Sequence, residues 1–537
     1  MCLDPKPRQH PLFFPLMQPE IDGDTNSIYS RETRAPTPIH PDDKLVKDVA
    51  EEDGSYQITD EILVDWDGPD DPANPLNWTY KQKWTATIFV SLYTFISPVS
   101  SSIVAPASEQ IASQLHITNS VLIAMTTSVF ILGYVVGPLV LGPLSEIHGR
   151  TRVIQLANLW YLVWNIGCSF AQSQGQLIAF RLLAGLGGSA PLSVGGGALG
   201  DIWRPEERGK AIAIYSLAPL LGPVLGPICG AWIAERSTWR WVFWSTTIVG
   251  AVIEVAGLLF FRETFAPLLL EQKAKSLRQS MDIEKAKIQK IYTIYEKNDS
   301  RTWKQILGRA MVRPFALLAL EPIIQFVALY SAFVYGILYL FLTSMPIIFS
   351  DIYHQSVAIG GLNYIAVGVG LTMASQANAR ILDRVYIYLK NRNGGVGEPE
   401  FRLPSVFIGA VMLPIGLFLS GWAAQAHVHW MVTDIGIAFV GGGMILVHQS
   451  MQTYVIDAFT LHAASALATV VCLRSIAGFG FPLFAPVMYN KLGYGKGNTL
   501  LACVSILLGW PAPWIIWVYG KRIRASSRYT RTSESVS

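Results

Sequence analysis

Charged side chains are scarce in this chain. Only 15% of its 537 residues are Asp, Glu, Lys or Arg, whereas soluble proteins carry about a quarter. With 51% hydrophobic residues, the shortage excludes an ordinary soluble domain and points to an all-α protein that crosses a membrane many times. Cysteine is scarce too. Cys2, Cys168, Cys229, Cys472 and Cys503 show no paired spacing, and four of them lie in apolar segments. They read as small packing residues, which argues against a disulfide framework or a thiolate metal site. A formal charge of only +3 predicts no nucleic-acid partner.

Other absences narrow the function. The polar, proline-rich N-terminus has no apolar core of a cleavable signal peptide, so the first apolar helix is expected to direct insertion. Cys2 is a possible palmitate acceptor, but a lone terminal cysteine is usually only that. No paired histidines, Cys-His metal spacing, serine nucleophile elbow or phosphate loop occurs in a fitting context, so neither an enzyme nor a bound cofactor or metal is expected. Gly185-Leu186-Gly187-Gly188 is glycine-rich, but it lies within an apolar stretch and follows no strand.

What the chain has in abundance is long apolar runs. Stretches of about 20 residues predict twelve spans. The first six are roughly 84–106, 120–143, 152–171, 176–200, 211–233 and 240–262. The second six are roughly 315–341, 355–378, 403–423, 429–451, 464–486 and 498–520. This divides the chain into a largely disordered tail (1–83), a six-helix bundle (84–262), a central loop (263–313), a second bundle (314–520) and a short tail (521–537). Residues 271–297 have the charge pattern of a surface helix, although a solvated linker is the favoured reading.

Lys and Arg fix the expected orientation. They crowd the central loop, the 2–3 and 8–9 connections and the C-terminal tail, and are missing from the 1–2, 3–4, 7–8 and 9–10 connections. The positive-inside rule then places both termini in the cytoplasm. On that side the sequons at Asn77 and Asn298 are not expected to carry glycans. Two six-span halves joined by a basic loop suggest pseudo-symmetric bundles rocking about a midplane site.

Ala218-Pro219-Leu220-Leu221-Gly222-Pro223-Val224-Leu225-Gly226-Pro227 lies in the fifth span. Such a run would break a soluble helix, but a membrane helix tolerates it when neighbours pack against the freed backbone. Gly222 and Gly226, four residues apart, offer one smooth face for close helix contact.

Three motifs then occur in order. The 2–3 connection reads Gly142-Pro143-Leu144-Ser145-Glu146-Ile147-His148-Gly149-Arg150. It resembles the 2–3 loop signature of the major facilitator superfamily, with Glu146 in place of Asp and Ile147 in place of the usual basic residue. Arg181-Leu182-Leu183-Ala184-Gly185 resembles the fourth-span motif, whose arginine the family ties to proton coupling. The Ala218–Pro227 run resembles the antiporter motif of the fifth span, with Pro227 where glycine is usual. Further similarity to the fungal twelve-span drug:proton antiporters lies at Asn74–Trp78, Trp239–Trp244, Glu263–Pro267, Tyr335–Tyr339, Ala463–Ala466 and Arg474–Gly478. The resemblance covers about residues 74–520.

Proton coupling needs an ionisable group at membrane depth. Glu254 in span six and Glu321 in span seven are the leading candidates, ahead of Glu109 and Asp434. Arg181 is expected to face a polar cavity or a partner, the alternative being an interfacial arginine that reaches water. Arg474 repeats that logic in the second half and suits an anionic group or a carboxylate. Glu146 and Arg150 are expected to pair near a helix end, and Asp383-Arg384, at the end of span eight, to form a charge clamp between the halves. His448 reads as a hydrogen-bonded structural histidine, His427 and His429 as exposed. Tyr93, Tyr330, Tyr335 and Tyr454, with Phe95, Phe333 and Tyr339, are candidates to line a pocket for planar or cationic molecules.

The expectation is a monomeric proton-coupled exporter in the lipid bilayer. It would carry drugs, toxins or fungal secondary metabolites, from the plasma membrane rather than the vacuole. An external proton would neutralise a carboxylate and favour outward release, and deprotonation to the cytosol would reset the site. The alternatives are a nutrient symporter or uniporter, which shares the fold, and a membrane sensor or receptor.

Overall fold

Thr79 starts the first long helix. The Gln82 backbone N–H donates to its hydroxyl at 3.5 Å, and the Thr79 N–H donates to the Gln82 side chain at 3.0 Å. This reciprocal cap satisfies two amides that a helix start leaves open. The computed structural model describes residues 60–204, 207–280, 289–294 and 303–527. The tail before residue 60 with Cys2, the sequon at Asn298 and residues 528–537 lie outside the described residues.

The first half runs α1 (Tyr80–Ser102), α2 (Ser108–Gln114), α3 (Ser120–Val136), α4 (Gly142–His148) and α5 (Arg150–Ser169). It continues with α6 (Gln174–Gly188), α7 (Ala190–Ile202), α8 (Arg208–Arg236) and α9 (Arg240–Phe260). A π-helical turn, Gly137–Leu141, joins α3 to α4. The fourth predicted span is the α6–α7 pair, interrupted at Ser189 just before Pro191. Its glycines let backbones meet. A Cβ on Gly185 would lie 2.0 Å from the Phe130 carbonyl oxygen of α3, and one on Gly187 only 2.4 Å from that of Ala157 in α5.

The second half comprises α11 (Trp303–Leu320), α12 (Pro322–Ile347), α13 (Val357–Leu362), α14 (Tyr364–Arg392) and α15 (Pro404–Gln425). It ends with α16 (Trp430–Ala458), α17 (Ala463–Gly509) and α18 (Pro511–Ser526). Among the described residues, ten helical runs are long and apolar enough to cross a membrane. Helix α5 is not among them, because Arg150, Arg152, Gln155, Asn158 and Asn165 interrupt its apolar character. The last run, Ala463–Ala525, has 63 residues. At about 1.5 Å per residue it is far too long for a single crossing of a ~30 Å core. Helical geometry breaks within it at Gly493, where φ is 74° and ψ 170°. That backbone favours glycine, and a Cβ there would meet the Gln425 side chain at 2.5 Å.

Between the halves, the expected linker carries structure. Helix α10 (Ala266–Ser280) is followed by strand β2 (Gln289–Thr293), which pairs in parallel with strand β1 (Asp60–Val64) in the register Asp60↔Gln289 to Val64↔Thr293. The stretch read as a disordered tail thus supplies a strand. Val64 packs on Ala274 of α10, and Lys273 Nζ donates to Asp67 Oδ1 at 2.6 Å. The pairing partner lies more than two hundred residues away, which local sequence cannot signal.

The halves meet along two seams. Helix α3 packs against α17, and α8 packs against α13 and α14. The largest buried apolar cluster runs across them, joining Phe130, Tyr134 and Tyr161 of the first half to Tyr339, Phe341 and Tyr364 of the second.

Candidate functional site

The sharp turn between α4 and α5 is held by charge. Gly149 adopts φ 97°, and a Cβ there would collide with the Glu263 carboxylate at 2.4 Å. Glu263, just past α9, accepts the backbone N–H groups of Arg150 at 2.8 Å and Thr151 at 3.2 Å. A carboxylate thereby caps the positive end of α5. The Arg150 side chain turns the other way. Its Nε lies 3.3 Å from Asp201 at the end of α7, its Nη1 donates to Ser145 Oγ at 2.6 Å, and its guanidinium covers the Phe265 ring. Glu146 does reach Arg150, but at 4.0 Å and from an exposed position. Asp201 is the closer partner, and the sequence reading missed it.

The second half repeats this arrangement. Arg402, at the head of α15, donates from Nε to Asp457 at 3.0 Å and from Nη1 to Asp383 at 2.8 Å. Its guanidinium covers Tyr386 at 4.3 Å. The clamp at Asp383 is therefore present, but it ties α14 to α15 and α16 inside one half instead of bridging the two. Arg384 is exposed. Asp201 and Asp457 share a sequence signal: each is a lone acid in the last turn of an apolar run.

Arg181 is fully enclosed. Its Nε donates to the Thr126 carbonyl at 3.0 Å, Nη1 to Ser100 at 2.8 Å, and Nη2 to Ser101 at 3.1 Å and Thr127 at 2.9 Å. Ser100 and Ser101 lie in the last turn of α1, whose carbonyls lack helical donors. With Phe130 and Phe243 against its faces, Arg181 ties α6 to α1 and α3 and does not reach water.

Arg474 is placed differently. On α17 it faces the seam, with its guanidinium over Tyr335 of α12 at 4.9 Å and Nη1 3.1 Å from His448 Nε2 of α16. A guanidinium only donates, so Nε2 accepts. Tyr335 meets the Tyr339 ring at a tilt, centroids 5.0 Å apart, and the Tyr339 hydroxyl shares a 3.1 Å hydrogen bond with Ser101 of α1. On the first-half side the Tyr134 hydroxyl shares a 2.8 Å hydrogen bond with Ser97, and across the seam the Cys472 thiol donates to the Val135 carbonyl. A polar and aromatic patch thus lies where five helices of both halves converge.

Other candidates fall outside that patch. Tyr93 points into its own half, donating to Glu254 Oε2 at 3.1 Å. Glu254 also accepts from Asn158 Nδ2 at 2.8 Å, while its buried Oε1 has no partner among the described residues. Tyr330 packs on Gly509, and Tyr454 is buried near the Glu400–Arg524 ion pair. Both hydroxyls lack described partners. Of the five tyrosines proposed from sequence, Tyr335 and Tyr339 reach the seam. Phe95 belongs to a cluster within the first half, and Phe333 packs on Phe481. Glu321 sits at the break between α11 and α12, where Ser527 Oγ donates to it at 2.8 Å. That position belongs to the end of the bundle, away from Arg474.

Helix α8 keeps its helical course through Pro219, Pro223 and Pro227. Gly222 and Gly226 lie against α1. Added Cβ atoms would fall 2.6 Å from Pro98 Cβ and 2.5 Å from Ser102 Oγ. The other flank faces the second half, with Val224 against Gly368 and Ala231 against Gly361. At its end, Glu235 Oε2 accepts the Ala358 backbone N–H of α13. A matching Gly-Pro pattern in α17, Gly478-x-Gly480-x-Pro482 and Pro486, escaped the sequence reading.

Two helical halves that enclose a polar seam define a membrane transporter, not an enzyme. The chain belongs to the major facilitator superfamily, whose family model matches residues 90–482. It is 47% identical to the efflux pump vrtL of Penicillium aethiopicum over 88% of this chain and 92% of that protein. It is 39% identical to the efflux pump radE of Floropilus chiversii, covering 89% of this chain and 87% of the relative. Among solved structures, the partially occluded inward-open xylose transporter XylE from E. coli aligns with TM-score 0.60. It covers 82% of this chain and 98% of that one, and at 16% identity the likeness concerns the fold alone.

Proposed function

We propose that this protein is a proton-coupled efflux transporter for small, largely hydrophobic organic molecules, secondary metabolites or toxins among them, in a fungal plasma membrane. Its fungal relatives named as efflux pumps, matched over most of both chains, carry the export reading. Helix α8 supports a moving seam. Its glycine face seats it firmly on α1, while its other face meets α13 and α14 through small side chains that allow sliding.

In this reading the chain makes twelve passes, with α5 as the third and the break at Gly493 dividing the eleventh from the twelfth. Both termini are cytoplasmic, because the basic connections share that side, and the protein works as a monomer. Glu254 is the proton carrier. Protonation at Oε1, which has no partner among the described residues, gives the buried carboxyl a donor and removes its charge while Oε2 goes on accepting from Tyr93 and Asn158. Arg181 and the paired clamps at Arg150 and Arg402 hold each half rigid while the halves rock. The substrate occupies the seam beside Tyr335.

Inverted membrane vesicles with an imposed pH gradient test this reading. Uptake of a fluorescent hydrophobic substrate should rise when the lumen is acidic and stop when a protonophore collapses the gradient. Uptake indifferent to the gradient rules out antiport.

A further inference from the structure

The two interior arginines differ in what they leave open. Arg181 spends four of its five N–H donors, drawn from all three nitrogens, on carbonyl oxygens. Arg474 makes one hydrogen bond among the described residues, from Nη1 to His448. Its Nε is buried with no partner, and no carboxylate lies within ion-pair distance of it among the described residues. A cation inside a membrane protein is costly unless it is paired, and this one faces the seam between the halves.

The open edge has a definite shape. With Nη1 engaged, Nε and Nη2 form the planar fork that grips a carboxylate through two parallel hydrogen bonds. Around it stand flat apolar surfaces. Tyr335 lies under the guanidinium, and the Tyr339 ring meets Tyr335 at a tilt of 54°. A compact inorganic anion would leave these rings unused, and a cation would meet Arg474 head-on.

We infer that Arg474 and His448 form the anion subsite of the seam, and that the molecules carried are planar aromatic acids in their ionised form. This rests on the export reading and specifies its substrate class. The carboxylate takes the Nε–Nη2 edge of Arg474, His448 fixes the guanidinium from the other side, and the aromatic body lies along Tyr335.

The test is binding to the full-length protein purified in detergent, using 2-naphthoate and its neutral isostere 2-naphthamide, read by quenching of protein fluorescence. The acid should bind about tenfold or more tightly than the amide, and Arg474→Gln should erase that preference, chiefly by weakening the acid. Arg474→Lys should retain part of it. Equal wild-type affinity for acid and amide, no acid binding at millimolar concentration, or an unchanged preference in Arg474→Gln overturns the inference. The wild-type comparison needs no variant, so a misfolded Arg474→Gln cannot rescue the idea. Binding needs no proton gradient, so a missing acid preference alongside gradient-driven transport sinks this inference alone. An acid preference without gradient dependence instead sinks the antiport reading.

Discussion

Arg402 is the pseudo-symmetric counterpart of Arg150. Arg150 opens the helix of the third span and Arg402 lies just before the corresponding helix α15, and each binds an aspartate at the end of the fourth span of its half, Asp201 or Asp457. Each also meets an acid from the end of the second, Asp383 or Glu146, and covers an aromatic ring. Duplicated geometry of this kind ties the second, third and fourth spans of each half together at its basic end.

The acids are not equal in burial, and this sets a prediction. Asp457 has 34% of its side chain exposed and Asp383 has 70%. Exposed pairs are worth little, whereas removing one partner of a buried pair leaves a charge without compensation. Asp457→Asn is expected to cost about 1–3 kcal/mol, between those limits, and Asp383→Asn well under that. Thermal melts of the purified variants should rank them in that order, and equal midpoints would remove the burial argument.

Glycine positions on α8 give a steric test. A Cβ at Gly230 would lie 2.0 Å from the Ile103 carbonyl oxygen, with backbone as the obstacle, whereas a Cβ at Gly196 meets nothing within 4 Å. Overpacking of this kind costs about 1–3 kcal/mol or more. Gly230→Val should therefore lose monodisperse protein or transport, and Gly196→Ala should match the parent in both. Size-exclusion profiles and vesicle uptake read the two outcomes.

The contrast between α8 and the tyrosines shows what the sequence could reveal. Gly222, Gly226 and the proline spacing have a local mechanism, so their role could be read before any partner was known. The same holds for Arg181, since an interior cation demands acceptors wherever they lie. Tyr93, Tyr330 and Tyr454 carried no such mark. In a bilayer both the packed and the lipid-facing sides of a helix are apolar, so hydrophobic periodicity does not tell which side faces the seam. Asp201, Asp457 and Glu263 became legible only once distant helices were brought together. The β1–β2 pairing was hidden for the same reason.

Glu254 and Glu321 should separate in function. Glu254 is enclosed by Tyr93 and Asn158 within the first bundle, whereas Glu321 receives Ser527 at a helix break. Glu254→Gln keeps an oxygen to accept from both donors, so folding and substrate binding should survive while uptake loses its response to the pH gradient. Glu321→Gln should keep that response. Counterflow and gradient-driven uptake, measured on the same vesicles, separate binding from coupling. A pH response retained in Glu254→Gln would move proton carriage to another group.

Glu235 makes a contact from one half to the other. Its carboxylate, at the end of α8, accepts the Ala358 backbone N–H of α13, so α8 is latched to the second half at the end opposite Arg150 and Arg402. A hydrogen bond to a charged group contributes about 1.5–3 kcal/mol. If the contact breaks when the seam opens at that end, losing it shifts the balance between the two arrangements by roughly tenfold or more. Glu235→Ala should therefore populate the opened arrangement without ligand. Spin labels at Trp232 and Ile359 would report longer distances in the variant than in the parent. Glu235→Asp, which keeps the charge but shortens the reach, should fall between them. Identical distance distributions in parent and Glu235→Ala would reduce the contact to a local cap of α13.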